Sequence, residues 1–265
     1  MPSATPVAVI TGSGRRRVGH VIANHLAICG YRLALHYHGS ADEARETVQL
    51  WQGRGVDVEA FPADVGREAD VDRMFEQVMQ RFGRLDALVT TASVWEPTPL
   101  ESITAEQFLE SYQVNTLGTF LCARRAGLLM AEQSEGGSIV TFGDWAIERP
   151  YPGYAAYFAA KGAIPTLTRT LAVELAQRNP RVRVNCIHPG PVMFPPGASE
   201  QEQQARIQAT LVKQANCPET VAHAVQFLLE NSFVTGVCLP VDGGRSVFAA
   251  ELESRGRPKQ KPAVN

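Results

Sequence analysis

Tyr157 and Lys161 stand four residues apart in the run Ala155-Ala156-Tyr157-Phe158-Ala159-Ala160-Lys161. On a helix that spacing brings both side chains to one face, a single turn apart. A phenol beside an ammonium suits proton donation, because the positive charge favours the phenolate and is expected to lower the phenol pKa towards neutrality. The same lysine can hold a ribose. Composition sharpens the point: of 25 basic residues only four are lysines, and Lys161 is the first of them. A chain that uses arginine almost everywhere keeps a lysine inside an alanine-rich, apolar stretch.

A second group of residues points to phosphate. The run Thr11-Gly12-Ser13-Gly14-Arg15-Arg16-Arg17-Val18-Gly19 follows a β-branched segment and precedes an apolar helical one. A glycine-rich turn from strand to helix lets backbone N–H groups approach a pyrophosphate at the positive end of the helix dipole. Three adjacent arginines repel one another unless an anion collects them, so the loop is expected to meet more phosphate than the pyrophosphate alone. The next strand ends in Leu35-His36-Tyr37-His38-Gly39-Ser40, with no Asp or Glu where an NAD site places a carboxylate for the ribose hydroxyls. Arg17, His38, Gly39 and Ser40 are expected to accommodate a 2′-phosphate instead, which selects NADP(H). His36 is expected to pack at the strand end. Asp64 and Val65, at the end of the third strand, are candidates for the adenine, with helix capping as the alternative for Asp64.

These side chains need a scaffold that gathers them. Short β-branched runs at 7–11, 32–36, 56–61, 87–91, 138–142, 183–188 and 237–241 alternate with helical periodicity at 19–29, 41–53, 68–82, 105–132, 155–178 and 218–230. The alternation predicts an α/β fold, a Rossmann-type doubly wound sheet of about seven parallel strands in a single domain. A break near Asn115 is expected in the 105–132 helix. The segment 189–214 is longer than a plain connection and is expected to form a substrate loop or lid. The NADP-binding domain is expected to span 1–250, followed by a polar, disordered tail at 251–265.

Composition excludes several classes. A net charge of −2 with scattered basic residues lacks the footprint of a nucleic-acid binder. Five dispersed cysteines form no CxxC pair and are odd in number, which argues against a disulfide framework or a zinc site. No run approaches a membrane span, and no basic leader precedes an apolar stretch. The expectations are a cytoplasmic protein with a small-molecule partner, no nucleic acid, no membrane and no metal.

With these motifs in view, the chain from about 7 to 247 resembles the short-chain dehydrogenase/reductase family. The resemblance implies that Gly12, Val18 and Gly19 belong to the cofactor loop and that Ala92 and Ser93 lie against the cofactor in an Asn-Ala-Gly-like segment, Thr90-Thr91-Ala92-Ser93. It places Pro189 and Gly190 after the sixth strand, and Val192 at the nicotinamide amide. It makes Asn115 the holder of a water in the proton relay, and Tyr157 and Lys161 the catalytic pair. It also implies a homotetramer.

Thirteen residues before Tyr157, where most members carry a catalytic serine, this chain has Asp144. An ionised aspartate repels the negative charge that develops on a ketone oxygen, whereas an acid beside a phenol suits a C=N substrate whose nitrogen takes a proton. Asp144, the Arg17-Val18-Gly19 ending, the His-Tyr-His-x-Ser run and the Ala-Ser-x-Trp95 segment together resemble pteridine reductases. Bacterial dihydromonapterin reductases are similar in Asp144 to Arg149 and in Pro240 to Arg245. The resemblance implies that Trp95 walls a slot for a flat pterin, with Asp144, Tyr157, Met193 and Phe194 on the substrate side. An NADPH-dependent ketoreductase of the same family and a non-catalytic NADP-binding sensor are the rival readings.

Overall fold

In a computed structural model, which describes residues 5–248, the strands are β1 Val7–Thr11, β2 Arg32–Tyr37, β3 Val58–Pro62, β4 Ala87–Thr90, β5 Gly137–Phe142, β6 Val182–Pro189 and β7 Cys238–Val241. They form one parallel sheet in the order β3-β2-β1-β4-β5-β6-β7. Strand order reverses between β1 and β4, the place where such sheets open a crevice at their carboxyl ends. The expected polar tail at 251–265 lies outside the described residues.

The strands alternate which face they feed. Val7 and Val9 join a core with α3 (Glu68–Phe82), α5 (Gly118–Glu132) and α7 (Ile164–Arg178). Ala8 and Ile10 turn the other way, towards α1 (Val18–Ile28), α2 (Ala41–Gln52) and α9 (Pro218–Glu230). Burial on both faces explains why the strands read as near-continuous apolar runs.

Two helical stretches are broken, each for a local reason. The run from 105 to 132 divides into α4 (Ala105–Tyr112) and α5 around a π-helical turn at Gln113–Leu117, which centres the break on Asn115 as expected. The stretch expected as one helix from 155 to 178 is two, α6 (Ala155–Gly162) and α7, because Pro165 in the first turn of α7 has no N–H to continue the ladder. Within the long segment after β6, α8 (Glu200–Gln208) carries a Ser199–Glu202 capping box and buries no side chain. The end of that segment folds back, with Leu211 N–H donating to the Gly243 carbonyl at 2.8 Å.

Candidate active site

The carboxyl end of β5 and the first turns of α6 bring the proposed proton-handling groups together. Asp144 leaves β5 in extended conformation and caps a short 3-10 turn at Trp145–Ile147, its Oδ1 accepting from Ala146 N–H at 2.8 Å. Its other oxygen, Oδ2, accepts the Tyr157 hydroxyl at 2.8 Å. Lys161 donates from Nζ to the Phe142 carbonyl at 2.9 Å and stands 5.9 Å from the centroid of the Tyr157 ring. Tyr157 is 8% exposed and Lys161 3%, while Asp144 is half-buried beside them.

Electrostatics here reverse one expectation. Burial, followed by the charge of Asp144, pushes the Tyr157 phenol well above its ordinary value, so Lys161 does not draw it towards neutrality. The hydroxyl remains a proton donor across the neutral range. Burial also raises the Asp144 carboxyl, against the opposing hydrogen bonds from Ala146 and Tyr157. For Lys161 burial lowers the pKa while Asp144 opposes it.

Asn115 is fully buried and its amide is engaged on both sides. Oδ1 accepts from Ser93 Oγ at 2.7 Å and Val94 N–H at 3.1 Å, while Nδ2 donates to the Val94 carbonyl at 3.0 Å and Ser111 Oγ at 3.2 Å. Its main-chain carbonyl accepts from Thr119 Oγ1 at 2.8 Å. All four hydrogen-bonding positions of the side chain are therefore taken, and a relay water at Asn115 would have to bond the main-chain carbonyl. Asn115 fastens the loop after β4.

That loop carries Trp95, which does face the site but does not present a bare ring. Tyr154 stacks on it, with centroids 4.9 Å apart and planes 12° from parallel. Tyr154 lies 6.4 Å from Tyr157 and 5.2 Å from Tyr151, which in turn lies 6.3 Å from Trp145. Arg245 covers Trp145 at 4.4 Å, and Arg149 donates to the Arg245 carbonyl at 3.2 Å. Arg206, in the last turn of α8, acts electrostatically on Tyr151, Tyr154 and Arg245. Sequence reasoning missed this aromatic wall and its positive flank. A signal was present, because Tyr151, Tyr154 and Tyr157 recur every three residues. Met193 and Phe194 are half-buried in the segment after β6, and Phe194 N–H donates to Asn216 Oδ1 at 3.3 Å.

At the switch point the glycine loop is shaped for close backbone approach. Gly12 has φ +70°, and a Cβ there would come within 2.8 Å of Ala92 Cα. At Gly19 a Cβ would meet Thr91 Oγ1 at 2.3 Å. The loop is clamped to the neighbouring strands: Ala92 N–H donates to Thr11 Oγ1 at 3.1 Å, and Gly12 N–H donates to His36 Nδ1 at 2.9 Å. His36 therefore does more than pack. It is neutral with its proton on Nε2, which donates to the Ala63 carbonyl at 3.0 Å, and burial draws its pKa down to about 4.

The donor set suits a dinucleotide phosphate. The amino end of α1 has neither a side-chain cap nor an acidic residue in its first turn, leaving backbone donors and the dipole for an anion. Arg15 and Arg17 are exposed and in no ion pair among the described residues, whereas Arg16 is tied to Glu46 at 3.1 Å. Ser40 lies against the loop, since a Cβ on Gly14 would reach its Oγ at 2.7 Å, and its hydroxyl does not cap α2. His38 and Gly39 are exposed beside it. Asp64 Oδ1 accepts from Gly66 N–H at 3.0 Å, a turn contact rather than a helix cap, and Val65 is buried next to it. Val192 is buried and bonds through its N–H to the Gly190 carbonyl at 2.7 Å, while Pro189 ends β6.

Comparison with known proteins agrees with this arrangement. A family model described as enoyl-(acyl carrier protein) reductase matches residues 13–246. The Escherichia coli oxidoreductase YgfF is 34% identical, over 90% of this chain and 99% of its own. Glucose 1-dehydrogenase 2 of Bacillus subtilis is 29% identical, over 93% and 96%. The crystal structure of a dehydrogenase/reductase from Sinorhizobium meliloti superposes with a TM-score of 0.82 at 30% identity, covering 91% of this chain and 94% of that one. None of these names a pterin. The sheet order, the glycine loop at the switch point, the Tyr157–Lys161 pair and these matches together carry one conclusion: the chain is an oxidoreductase of the short-chain dehydrogenase/reductase family.

Proposed function

We propose that this protein is an NADPH-dependent reductase of a C=N bond in a pterin or dihydropterin, working in the cytoplasm as a homotetramer. The observation that carries the reading is the 2.8 Å hydrogen bond from Tyr157 to Asp144, a carboxyl whose pKa burial raises. Reduction of C=N adds a hydride to carbon and a proton to nitrogen. The nicotinamide cofactor supplies the hydride when bound, and the chain supplies the proton.

Protonated Asp144 donates to Tyr157 Oη, which frees the phenolic hydrogen to point at the ring nitrogen. After transfer, Asp144 is left as the carboxylate and takes its proton back from water. Lys161, fixed at the Phe142 carbonyl, has two further N–H groups for ribose hydroxyls. Trp95, backed by Tyr154, offers a flat apolar face to a flat heterocycle. Arg15, Arg17, His38 and Ser40 support the preference for the 2′-phosphate.

A carbonyl substrate is the second reading, favoured by the name of the Bacillus subtilis relative, a glucose 1-dehydrogenase. The test is NADPH and NADH oxidation with dihydropterins, dihydrofolate and simple ketones. The expected result is turnover of a pterin or folate with NADPH preferred. Turnover confined to ketones gives the second reading, equal use of both cofactors removes the NADP assignment, and no turnover with any of them favours a cofactor-sensing role.

A further inference from the structure

Beneath the catalytic carboxyl lies a second group of reactive side chains that the reaction does not use. Cys186 and Cys238 are register partners on β6 and β7, so their side chains leave the same face of the sheet. His188, two residues beyond Cys186, shares that face. One ligand atom from each, two Sγ and an imidazole nitrogen, lies within 4.8 Å of the others. Three atoms so spaced are at most about 2.8 Å from a common centre. A zinc ion needs bonds of about 2.3 Å to sulfur and about 2.0 Å to nitrogen, so sub-ångström adjustments close the site.

Two further observations point to a ligand. His188 is 7% exposed, and its Nε2 is buried with no hydrogen-bond partner among the described residues, an unmet demand inside a protein interior. Cys238 is half-buried on the edge strand and gives the cluster a path to solvent.

We propose that Cys186, His188 and Cys238 form a binding site for a thiophilic d10 cation, Zn2+, with water in the fourth position, and that occupancy inhibits the enzyme. Two thiolates and a dication make a neutral centre, so the neighbouring cations Lys161 and Arg169 impose no net Coulomb penalty on it. The proposal departs from the expectation that dispersed cysteines hold no metal, because cysteines 52 positions apart in sequence become neighbours when β7 joins the sheet.

Coupling to the reaction runs through Gly143. A Cβ on that residue would meet His188 Cδ2 at 2.7 Å and Nε2 at 2.8 Å, so the imidazole packs directly under the residue preceding Asp144. His188 already acts on Asp144 in the direction that favours the carboxylate. Drawing the imidazole into a ligand shell shifts the packing under Gly143, and with it the Asp144 carboxyl that accepts from Tyr157 at 2.8 Å. The inhibitory part rests on the proposed proton relay, whereas the binding part does not.

The experiment titrates the reduced full chain with Zn2+ against a chromophoric chelator, and with Co2+ for thiolate-to-cobalt charge-transfer absorption. The expected result is one equivalent of metal and a charge-transfer band. In Cys238→Ser the band is lost and affinity falls at least about 100-fold, the upper end of what even outer-shell changes cost at such sites. His188→Asn should weaken binding likewise, while Cys29→Ser and Cys217→Ser bind as the parent does. Zn2+ should lower turnover, a chelator should restore it, and Cys238→Ser should keep its activity and lose the sensitivity. Metal uptake unchanged in Cys238→Ser overturns the site, as does a reduced parent that takes up no Zn2+ while its oxidised form carries a Cys186–Cys238 disulfide. One equivalent bound without inhibition overturns the coupling alone, and a failed pterin assay leaves the binding titration standing.

Discussion

Asp144 occupies a position where a hydroxyl would serve a ketone, and its burial gives the substitution chemical content. A carboxyl with a raised pKa stays protonated to a higher pH than an ordinary aspartate, and the protonated form is the one that can pass a proton to Tyr157. Turnover should therefore hold at low pH and fall as pH rises through the Asp144 pKa, while Tyr157, whose phenol is pushed up, adds no second loss near neutrality. Asp144→Ser should lower pterin turnover by about 100-fold, the low end for general acid–base catalysis, with less effect on KM, and should spare or improve any ketone reduction. Steady-state kinetics between pH 5 and 8 check this, and an unchanged pterin profile in the serine variant refutes the role. Trp95 makes a separate demand. Because Tyr154 already covers one of its faces, substrate meets a two-ring stack. Trp95→Ala should raise KM for pterins about threefold to tenfold, the worth of an aromatic pair, and leave NADPH affinity as it was. A KM that does not move would make Trp95 a support for Tyr154 only.

Between elements, the site depends on clamps that tie the ends of strands together, and His36 is the most exacting of them. Its imidazole accepts from Gly12 and donates to Ala63, which requires the neutral ring. The folded pKa is drawn from 6.5 to about 4, so the unfolded chain binds the proton more readily. Stability from this group is present above pH 6.5 and is lost as pH falls from 6.5 towards 4, by about 3 kcal/mol in all. Urea unfolding at pH 7 and pH 4.5, with imidazole NMR shifts, checks it, and a His36 ring that protonates near pH 6 would contradict the geometry. The same clamps explain what could be read beforehand. The β-branched runs and helical periods placed all seven strands within two residues, because local pattern and burial coincide there. The π turn at Asn115 was legible only as a break. Val94 lies 21 residues from Asn115 and Ser93 22, the partner of Gly12 is 24 away and that of Ala92 is 81, and no local period records contacts of that span. For the same reason the aromatic wall escaped notice: Trp95, Trp145 and Tyr154 meet only once β4, β5 and α6 share a sheet end.

At the scale of the whole molecule, the helices that support the site also carry apolar surface that a lone chain would leave in water. Leu109 is 64% exposed and Tyr112 43% on α4, Leu117 is 38% exposed in the π turn, and Leu128 39% on α5. Tyr112 and Leu117 are five residues apart across a turn widened by one residue, and Leu117 and Leu128 are eleven apart, three helical turns, so all four follow one line along the rod. Exposed apolar side chains aligned in this way offer a docking face, although Ile28, Leu50, Val173 and Phe227 are also exposed on other helices. The expected assembly is a homotetramer that covers this stripe with a second copy of the same helices. Because Asn115 sits within the rod and holds the Val94 backbone beside Trp95, covering the stripe also steadies the substrate slot. Sedimentation equilibrium should give four chains per particle, and Leu109→Glu should shift the protein to smaller species while the far-ultraviolet dichroism of the fold is kept. Turnover should fall with the dissociation more than NADPH affinity does, since the cofactor loop lies on β1 and α1, away from the stripe. A parent chain that sediments as a monomer, or a glutamate variant that assembles like the parent, would exclude this face as the interface.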